Sequence, residues 1–166
     1  MKKIWMLPVL VLLLAGCGVQ ETFETVSDVH ALTASAAVYT IELSLPETAA
    51  QPAMESAEGG KLYLCDGYTV TVQTGQAGDL NRTLRDVTGF EEEELTLVQT
   101  TRGGFKCWQC AWTAVGEGAD QICRTVILDD GNSHHAVTVM GDYTKAGDFA
   151  KEWQHILGSA CLVSTG

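Results

Sequence analysis

The sequence predicts an α+β fold, in which an antiparallel meander of five to seven β-strands carries two helices packed on one face. Three observations lead to this prediction. Short segments with alternating apolar and polar residues recur along the chain, and Gly, Asp and Asn turn signals separate them. One central segment and one near the end instead repeat apolar residues at helical spacing. Strands joined by short turns pair antiparallel, and the helices then cover one face of the sheet.

The first predicted strand covers residues 38–45, where apolar and polar side chains alternate until a proline ends the pattern. Residues 47–60 are acidic and contain proline and paired glycines, which predicts a loop. A hairpin follows at residues 62–74, because Asp66-Gly67 near its centre suits the positive φ angles of a type I′ turn.

The first helix is predicted to begin after the N-cap Asp79 and to end at Gly89, since glycine commonly occupies the left-handed position that closes a helix. Its apolar residues recur at i, i+4 and i+7: Leu80, Leu84 and Val87. The second helix is predicted over residues 144–157, and Gly158 is expected to stop it. One apolar stripe marks that helix: Phe149, Trp153, Ile156 and Leu157.

Four further strands are predicted between the two helices, at residues 95–101, 105–115, 121–128 and 133–140. The turn at residues 129–132 lacks the alternating ligands of a calcium loop and is predicted to be a hairpin turn. His134 and His135 follow it. Because adjacent side chains on a strand point to opposite sides, they are poor joint ligands, and we expect one to be exposed and the other partly packed.

The amino terminus predicts export from the cell. Lys2 and Lys3 precede an apolar run at residues 4–14, which is shorter than the about 20 residues that cross a bilayer. The run ends in Leu14-Ala15-Gly16-Cys17, which is similar to the lipobox of bacterial lipoproteins. That resemblance implies cleavage before Cys17 and a diacylglycerol on its sulfur, and two acyl chains anchor a protein stably on a membrane.

We therefore predict a lipoprotein signal peptide at residues 1–16, a lipidated flexible tether at residues 17–37 and a single α+β domain at residues 38–163. The 166-residue chain has a formal charge of −11, and loss of the two lysines near its start leaves 8 basic against 21 acidic residues, or −13. So acidic a surface repels phosphate, which excludes nucleic acid as a partner and leaves the lipid on Cys17 as the membrane attachment.

The order of elements over residues 38–163 resembles the Mog1/PsbP-like fold. The hairpin around Asp66-Gly67 and the aromatic terminal helix carry this resemblance. It implies a non-enzymatic envelope protein that binds or scaffolds a partner, either a protein or a small molecule. No motif is present on which site residues of that family could be transferred.

Cys107-Trp108-Gln109-Cys110 is the sharpest candidate for chemistry, since C-x-x-C pairs occur in redox sites and in zinc sites. Redox pairs lie at helix N-termini, whereas this pair lies in a predicted strand, where residues three apart point to opposite faces. No second C-x-x-C or spaced histidine pair completes a zinc site. We therefore expect Cys110 to pack in the core with Trp108 and Trp112, and we predict no cofactor.

The disulfide pattern stays open at this point. If Cys17 is lipidated, five cysteines remain: Cys65, Cys107, Cys110, Cys123 and Cys161. Because five is an odd number, at least one of these thiols has no disulfide partner within the chain. An exported chain is free to oxidise, but the odd count and irregular spacing are also typical of free thiols.

No nucleophile elbow, zinc-protease, Walker or dinucleotide-binding motif occurs in the sequence. The first hypothesis is accordingly a membrane-anchored, extracytoplasmic lipoprotein that acts as a non-catalytic binding or scaffold module. The alternative is a thiol- or metal-dependent envelope protein that uses Cys107 and Cys110 together with Cys65 or His135. Convergence of three of these side chains within about 4 Å would favour the alternative.

Overall fold

The computed structural model describes residues 23–28, 38–114 and 120–165. The described residues contain ten strands and two α-helices: β1 Phe23–Asp28, β2 Tyr39–Pro46, β3 Met54–Glu55, β4 Lys61–Leu64, β5 Tyr68–Gln76, α1 Leu80–Thr88, β6 Val98–Arg102, β7 Phe105–Ala114, β8 Gln121–Asp129, β9 Ser133–Asp142, α2 Ala150–Ser159 and β10 Cys161–Ser164. Neither helix is long and apolar enough to cross a bilayer.

Seven of the strands form one antiparallel sheet in the order β3-β4-β5-β9-β8-β7-β6, and a second sheet has the order β1-β2-β10. The large sheet consists of two meanders, β3 to β5 and β6 to β9, which meet where β5 pairs with β9. The predicted α+β class, with two helices on an antiparallel sheet, is confirmed.

The two helices cover opposite faces of the large sheet, which differs from the predicted placement on one face. Strand β8 shows this directly, because Val126 and Leu128 pack in one core cluster with Trp153 of α2. Ile127, between them, packs in another cluster with Leu84 of α1. Neighbouring side chains on a strand point to opposite faces. The central strands therefore bury apolar side chains on both faces, here named the α1 face and the α2 face.

The α2 face carries the larger core, and the three-stranded sheet packs on it beside α2. Trp153 is fully buried there. Its ring stacks on Phe149 with a centroid distance of 6.3 Å, and the edge of Tyr68 approaches it at 6.0 Å. A Cβ on Gly141 of β9 would lie 2.9 Å from the Trp153 ring. Because glycine has no Cβ, this position leaves room for the indole.

The predicted ends of α1 and the predicted position of the first hairpin are confirmed. Asp79 caps α1 by accepting a hydrogen bond from the Arg82 N–H at 3.0 Å, and Gly89 closes it with φ +81°. Strands β4 and β5 pair around Asp66-Gly67, as predicted. The predicted type I′ turn is wrong, because it needs a positive φ at both central residues, and only Gly67, with φ +83°, has one.

The second helix is shifted towards the carboxyl end of the chain relative to its prediction. Tyr143–Lys145 form a separate 3₁₀ turn, capped by the Asp142 carboxylate, and α2 begins only at Ala150. Gly158 does not stop the helix, which runs to Ser159. The Ser159 hydroxyl donates to the Ile156 carbonyl and accepts from the Ser44 N–H, each at 2.8 Å, and so holds the last turn against β2.

Three strands lie where the sequence predicted none. β1 falls within residues 17–37, the predicted tether, so the part of that segment that the structure describes is a strand paired with β2. β3 falls within residues 47–60, the predicted loop, and pairs with β4. β10 follows α2 and pairs with the other edge of β2. All three are short strands at a sheet edge, where the local sequence pattern is weakest. The predicted signal peptide and Cys17 lie outside the described residues.

Candidate functional site

A cleft of about 690 Å³, here named the α1 cleft, opens between α1 and the carboxyl end of β5. Residues of the loop at 56–60 and of the segment at 73–78 form two of its walls, and polar side chains of α1 form a third. His134 and Ala136 of β9 lie at the floor.

The cleft exists because β5 is longer than its neighbour β4. The register between these strands ends at Lys61↔Val72, whereas β5 remains paired with β9 as far as Gln76↔Ser133. Space next to the end of β5 is therefore left unfilled. A Cβ on Gly75 would meet no atom within 4 Å, so this glycine leaves the space open.

His134 forms the centre of the floor and is only 2% exposed. Its Nδ1 lies 2.6 Å from the Thr83 hydroxyl of α1, and the hydroxyl is also 3.3 Å from the Asp79 carbonyl. The edge of the ring meets Trp108 at a centroid distance of 5.7 Å. Burial lowers the pKa of His134, although Asp129 lies 4.0 Å from its Nε2. The imidazole is therefore neutral near pH 7 and fastens α1 to the sheet.

His135 occupies the opposite face, as predicted for adjacent residues on a strand. Its Nε2 lies 2.9 Å from Asp130 Oδ2, and its Nδ1 lies 3.3 Å from the Thr74 hydroxyl. The expectation that one of the two histidines is exposed is wrong, because both are 2% exposed. The reason is that β9 is a central strand of a sheet that is covered on both faces.

The C-x-x-C pair is divided by the sheet. Cys107 is buried in the core of the α2 face, whereas Cys110 is buried on the α1 face, where Trp108 and Trp112 pack against the same cluster. The packing predicted for Cys110 is confirmed. None of the five cysteines in the described residues forms a disulfide. Within that part of the chain no group of three or more His, Cys, Asp or Glu side chains is placed to hold a metal.

The buried thiols are expected to react slowly in the folded protein. Burial raises the pKa of Cys110 and of Cys123 to about 11, so at pH 8 few of these thiols are ionised. Because the thiolate is the nucleophile, iodoacetamide should alkylate both at least about 100-fold more slowly in the native protein than after unfolding. Peptide mass spectrometry over a labelling time course measures this ratio, and similar rates in the two states would contradict it.

A second groove of about 560 Å³ lies on the α2 face, between β7, β8 and the end of α2. Arg102 lines it and donates to the carbonyls of Leu157 and Ala160 at 2.5 and 3.0 Å. This arginine therefore closes the carboxyl end of α2. Both hydrogen bonds of its guanidinium are to the backbone of the fold, so the arginine at the end of α2 is already engaged.

No protein-family model matches the chain, and no curated protein matches it. Solved structures do. The PsbP protein CyanoP of Synechocystis sp. PCC 6803 has a TM-score of 0.56 at 10% identity, with 89% of this chain and 96% of that one covered. Mog1p, a Ran-binding protein of Saccharomyces cerevisiae, has a TM-score of 0.51 at 10% identity, with 86% of this chain and 96% of that one covered. LpqN of Mycobacterium tuberculosis, which is involved in cell envelope biogenesis, has a TM-score of 0.50 at 15% identity, with 85% of this chain and 91% of that one covered.

A longer protein from Bacteroides thetaiotaomicron is matched in part, with a TM-score of 0.51 at 15% identity over 76% of this chain. The chain spans 45% of its length. Likenesses at such low identity concern the fold and not the residues of a site. They confirm the predicted resemblance at that level: the chain has the fold found in PsbP and Mog1 proteins.

Proposed function

We propose that the protein is a lipid-anchored, extracytoplasmic binding module that holds a partner in the α1 cleft without chemical turnover. The observation that carries this proposal is the state of the cleft floor. His134, the one histidine among the described lining residues, is buried, and its Nδ1 is held 2.6 Å from the Thr83 hydroxyl. A catalytic histidine instead needs a free nitrogen directed at the substrate.

Three other groups with catalytic potential are also buried: the thiols of Cys107 and Cys110 and the hydroxyl-bearing ring of Tyr68. Cys107 and Cys110 lie on opposite faces, and burial raises the pKa of Cys110 and of Tyr68. The name of one structural neighbour agrees with a binding role, since Mog1p is a Ran-binding protein. The name of another agrees with a location in the cell envelope, since LpqN is involved in cell envelope biogenesis. The alternative, thiol- or metal-dependent chemistry at Cys107 and Cys110, requires a convergence that the geometry opposes.

The anchor is tested at Cys17. Mass spectrometry of the mature amino-terminal peptide should find it beginning with a diacylated Cys17. In the Cys17→Ser variant the protein should leave the membrane fraction, whereas Cys161→Ser, which changes a cysteine of β10, should not release it. An uncleaved and unacylated amino terminus would overturn the proposed anchoring.

Binding in the cleft is tested by photocrosslinking in intact cells. A photoreactive amino acid at Gln73 lies in the α1 cleft, and the same residue at Gln154 lies in the groove of the α2 face; both positions are exposed. We expect covalent adducts with a partner from position 73 and none from position 154. Adducts from position 154 alone would place binding on the other face and overturn the assignment of the cleft.

A further inference from the structure

A stretch of strand edge lies open along the α1 cleft. Beyond Val72, β5 has β9 on one side, and within the described residues no strand pairs with its other side. Residues 73–76 form this open edge, and all four line the cleft. At the usual rise of a strand they span about 13 Å, enough for a short extended segment.

Two residues of this edge direct their backbone groups into the cleft. Ala77 donates to the Asn132 carbonyl at 3.0 Å, which fixes the odd-numbered residues of β5 as those bonded to β9. Cys65 donates to the Tyr68 carbonyl at 3.0 Å, which assigns the even-numbered residues to the β4 side. The N–H and C=O groups of Thr74 and Gln76 therefore point to the side from which β4 has departed. Strand edges of this kind accept an added strand.

The chain before β4 turns away from this edge. Gly59 has φ +84°, and the Ser56 N–H donates to the Gly60 carbonyl at 2.8 Å. The Ser56 hydroxyl in turn accepts from the Gly60 N–H at 2.9 Å. These bonds close the loop on itself. In the described part of the chain, the strand pairing of β4 with β5 ends at Lys61↔Val72, before this loop.

The charge around the open edge is acidic. Glu58, Asp79 and Asp86 line the cleft, and Arg82 is the basic residue among its lining side chains. Arg82 lies 3.8 Å from Asp86, and these two opposite charges cancel, which leaves Glu58 and Asp79 as the excess negative charge of the lining. The whole chain carries a formal charge of −11. A ligand that enters the cleft therefore gains from positive charge.

We propose that the α1 cleft binds an extended, lysine- or arginine-bearing peptide segment of a partner protein, which continues the path of β4 and pairs with β5 at Thr74 and Gln76. This inference rests on the proposed binding function and names the kind of partner. Main-chain hydrogen bonds to the two residues supply affinity, and the acidic side chains select basic segments. Gly75, whose Cα faces the cleft between them, leaves room for the side chains of the added strand.

The probe is a capped, fluorescent peptide of about seven alternating lysine and valine residues, titrated into the full chain in detergent and followed by anisotropy. Two matched probes replace lysine by glutamate or carry N-methyl groups on alternate amides. We expect each change to weaken binding at least about tenfold, because the first reverses the charge and the second removes main-chain donors. In hydrogen exchange by NMR, the bound lysine peptide should protect the amides of Thr74 and Gln76.

The matched protein variants are Gly75→Trp and Gly147→Trp. Neither glycine has a positive φ, and at both a Cβ meets no atom within 4 Å, so both variants should fold. Gly75→Trp fills the cleft and should abolish peptide binding, whereas Gly147→Trp, in the turn before α2, should retain it. Circular dichroism checks the fold of each.

The proposal is overturned if the lysine peptide does not bind, if either matched probe binds equally well, or if Gly75→Trp folds and binds as before. These outcomes are separable from the proposed function. If position 73 gives crosslinks but the lysine peptide does not bind, the proposed binding module stands and the added strand is ruled out. Loss of both results would remove both proposals.

Discussion

The Trp153→Ala variant is expected to lose about 3–5 kcal/mol of unfolding free energy, because it removes the largest fully buried side chain of the α2 face. The indole is stacked on Phe149 and meets Tyr68 edge-on, and it fills the space beside Gly141. The surrounding residues belong to both sheets and to α2, so collapse around the cavity would disturb all three. Urea denaturation followed by circular dichroism measures the loss.

Trp153→Phe is the matched control. It retains an aromatic ring and removes Nε1, a buried donor with no hydrogen-bond partner in the described residues. Removing an unsatisfied donor offsets part of the lost contact area, so the control should lose markedly less stability than the alanine variant. Equal losses in the two variants would show that packing around the ring does not stabilise the fold in this way.

Asp130→Ala is expected to destabilise the protein by about 3–5 kcal/mol, since it leaves two buried partners, His135 and the Ser133 N–H, without an acceptor. The Asp130 carboxylate is nearly buried and accepts from the N–H groups of Asn132 and Ser133 at 2.8 and 2.6 Å. His135 Nε2 lies 2.9 Å from the same carboxylate. The substitution therefore removes three hydrogen bonds from the turn between β8 and β9.

Because of the Asp130 carboxylate, we expect the free energy of unfolding to depend on pH. Burial would raise its pKa, but the hydrogen bonds from His135, Ser133 and Asn132 outweigh burial and hold the pKa of Asp130 below its ordinary 3.8. A lowered folded-state pKa means that the stabilisation is complete above pH 3.8 and is lost as the pH falls through the folded value. Wild-type unfolding measured down to pH 2 should show this loss.

Asp129→Ala provides the comparison for both measurements. Asp129 accepts from the Gly131 N–H at 2.7 Å and is more exposed than Asp130. We expect a smaller loss of stability for Asp129→Ala, and Asp130→Ala should flatten the acid limb of the pH profile relative to the wild-type protein. If the two variants are indistinguishable, the buried Asp130 network does not have the role assigned to it.

The sequence was most informative where structure depends on a few neighbouring residues. The ends of α1 at Asp79 and Gly89 follow from capping, and the first hairpin follows from Asp66-Gly67. The separation of Cys107 from Cys110 follows from strand periodicity alone. Each of these predictions needs only the local backbone geometry, and each is confirmed.

The sequence was least informative where structure depends on distant partners. Apolar residues on both sides of β8 do not reveal that a different helix covers each face, so the burial of both His134 and His135 was missed. The α1 cleft arises because β5 continues past the end of β4. The sequence analysis predicted these two strands only as a simple hairpin at residues 62–74. A signal was present in the polar residues and glycines at 73–78, which continue the strand pattern past the end of its partner.

Strand β1 limits how far the domain can stand from a bilayer. If the lipid is on Cys17, the six-residue step to Phe23 reaches at most about 20 Å even when fully extended. Because β1 belongs to the sheet that packs on the α2 face, a lipid on Cys17 would hold that side of the molecule close to the headgroups. The opening beside α1 lies across the large sheet from it, and ligands would approach from the aqueous side.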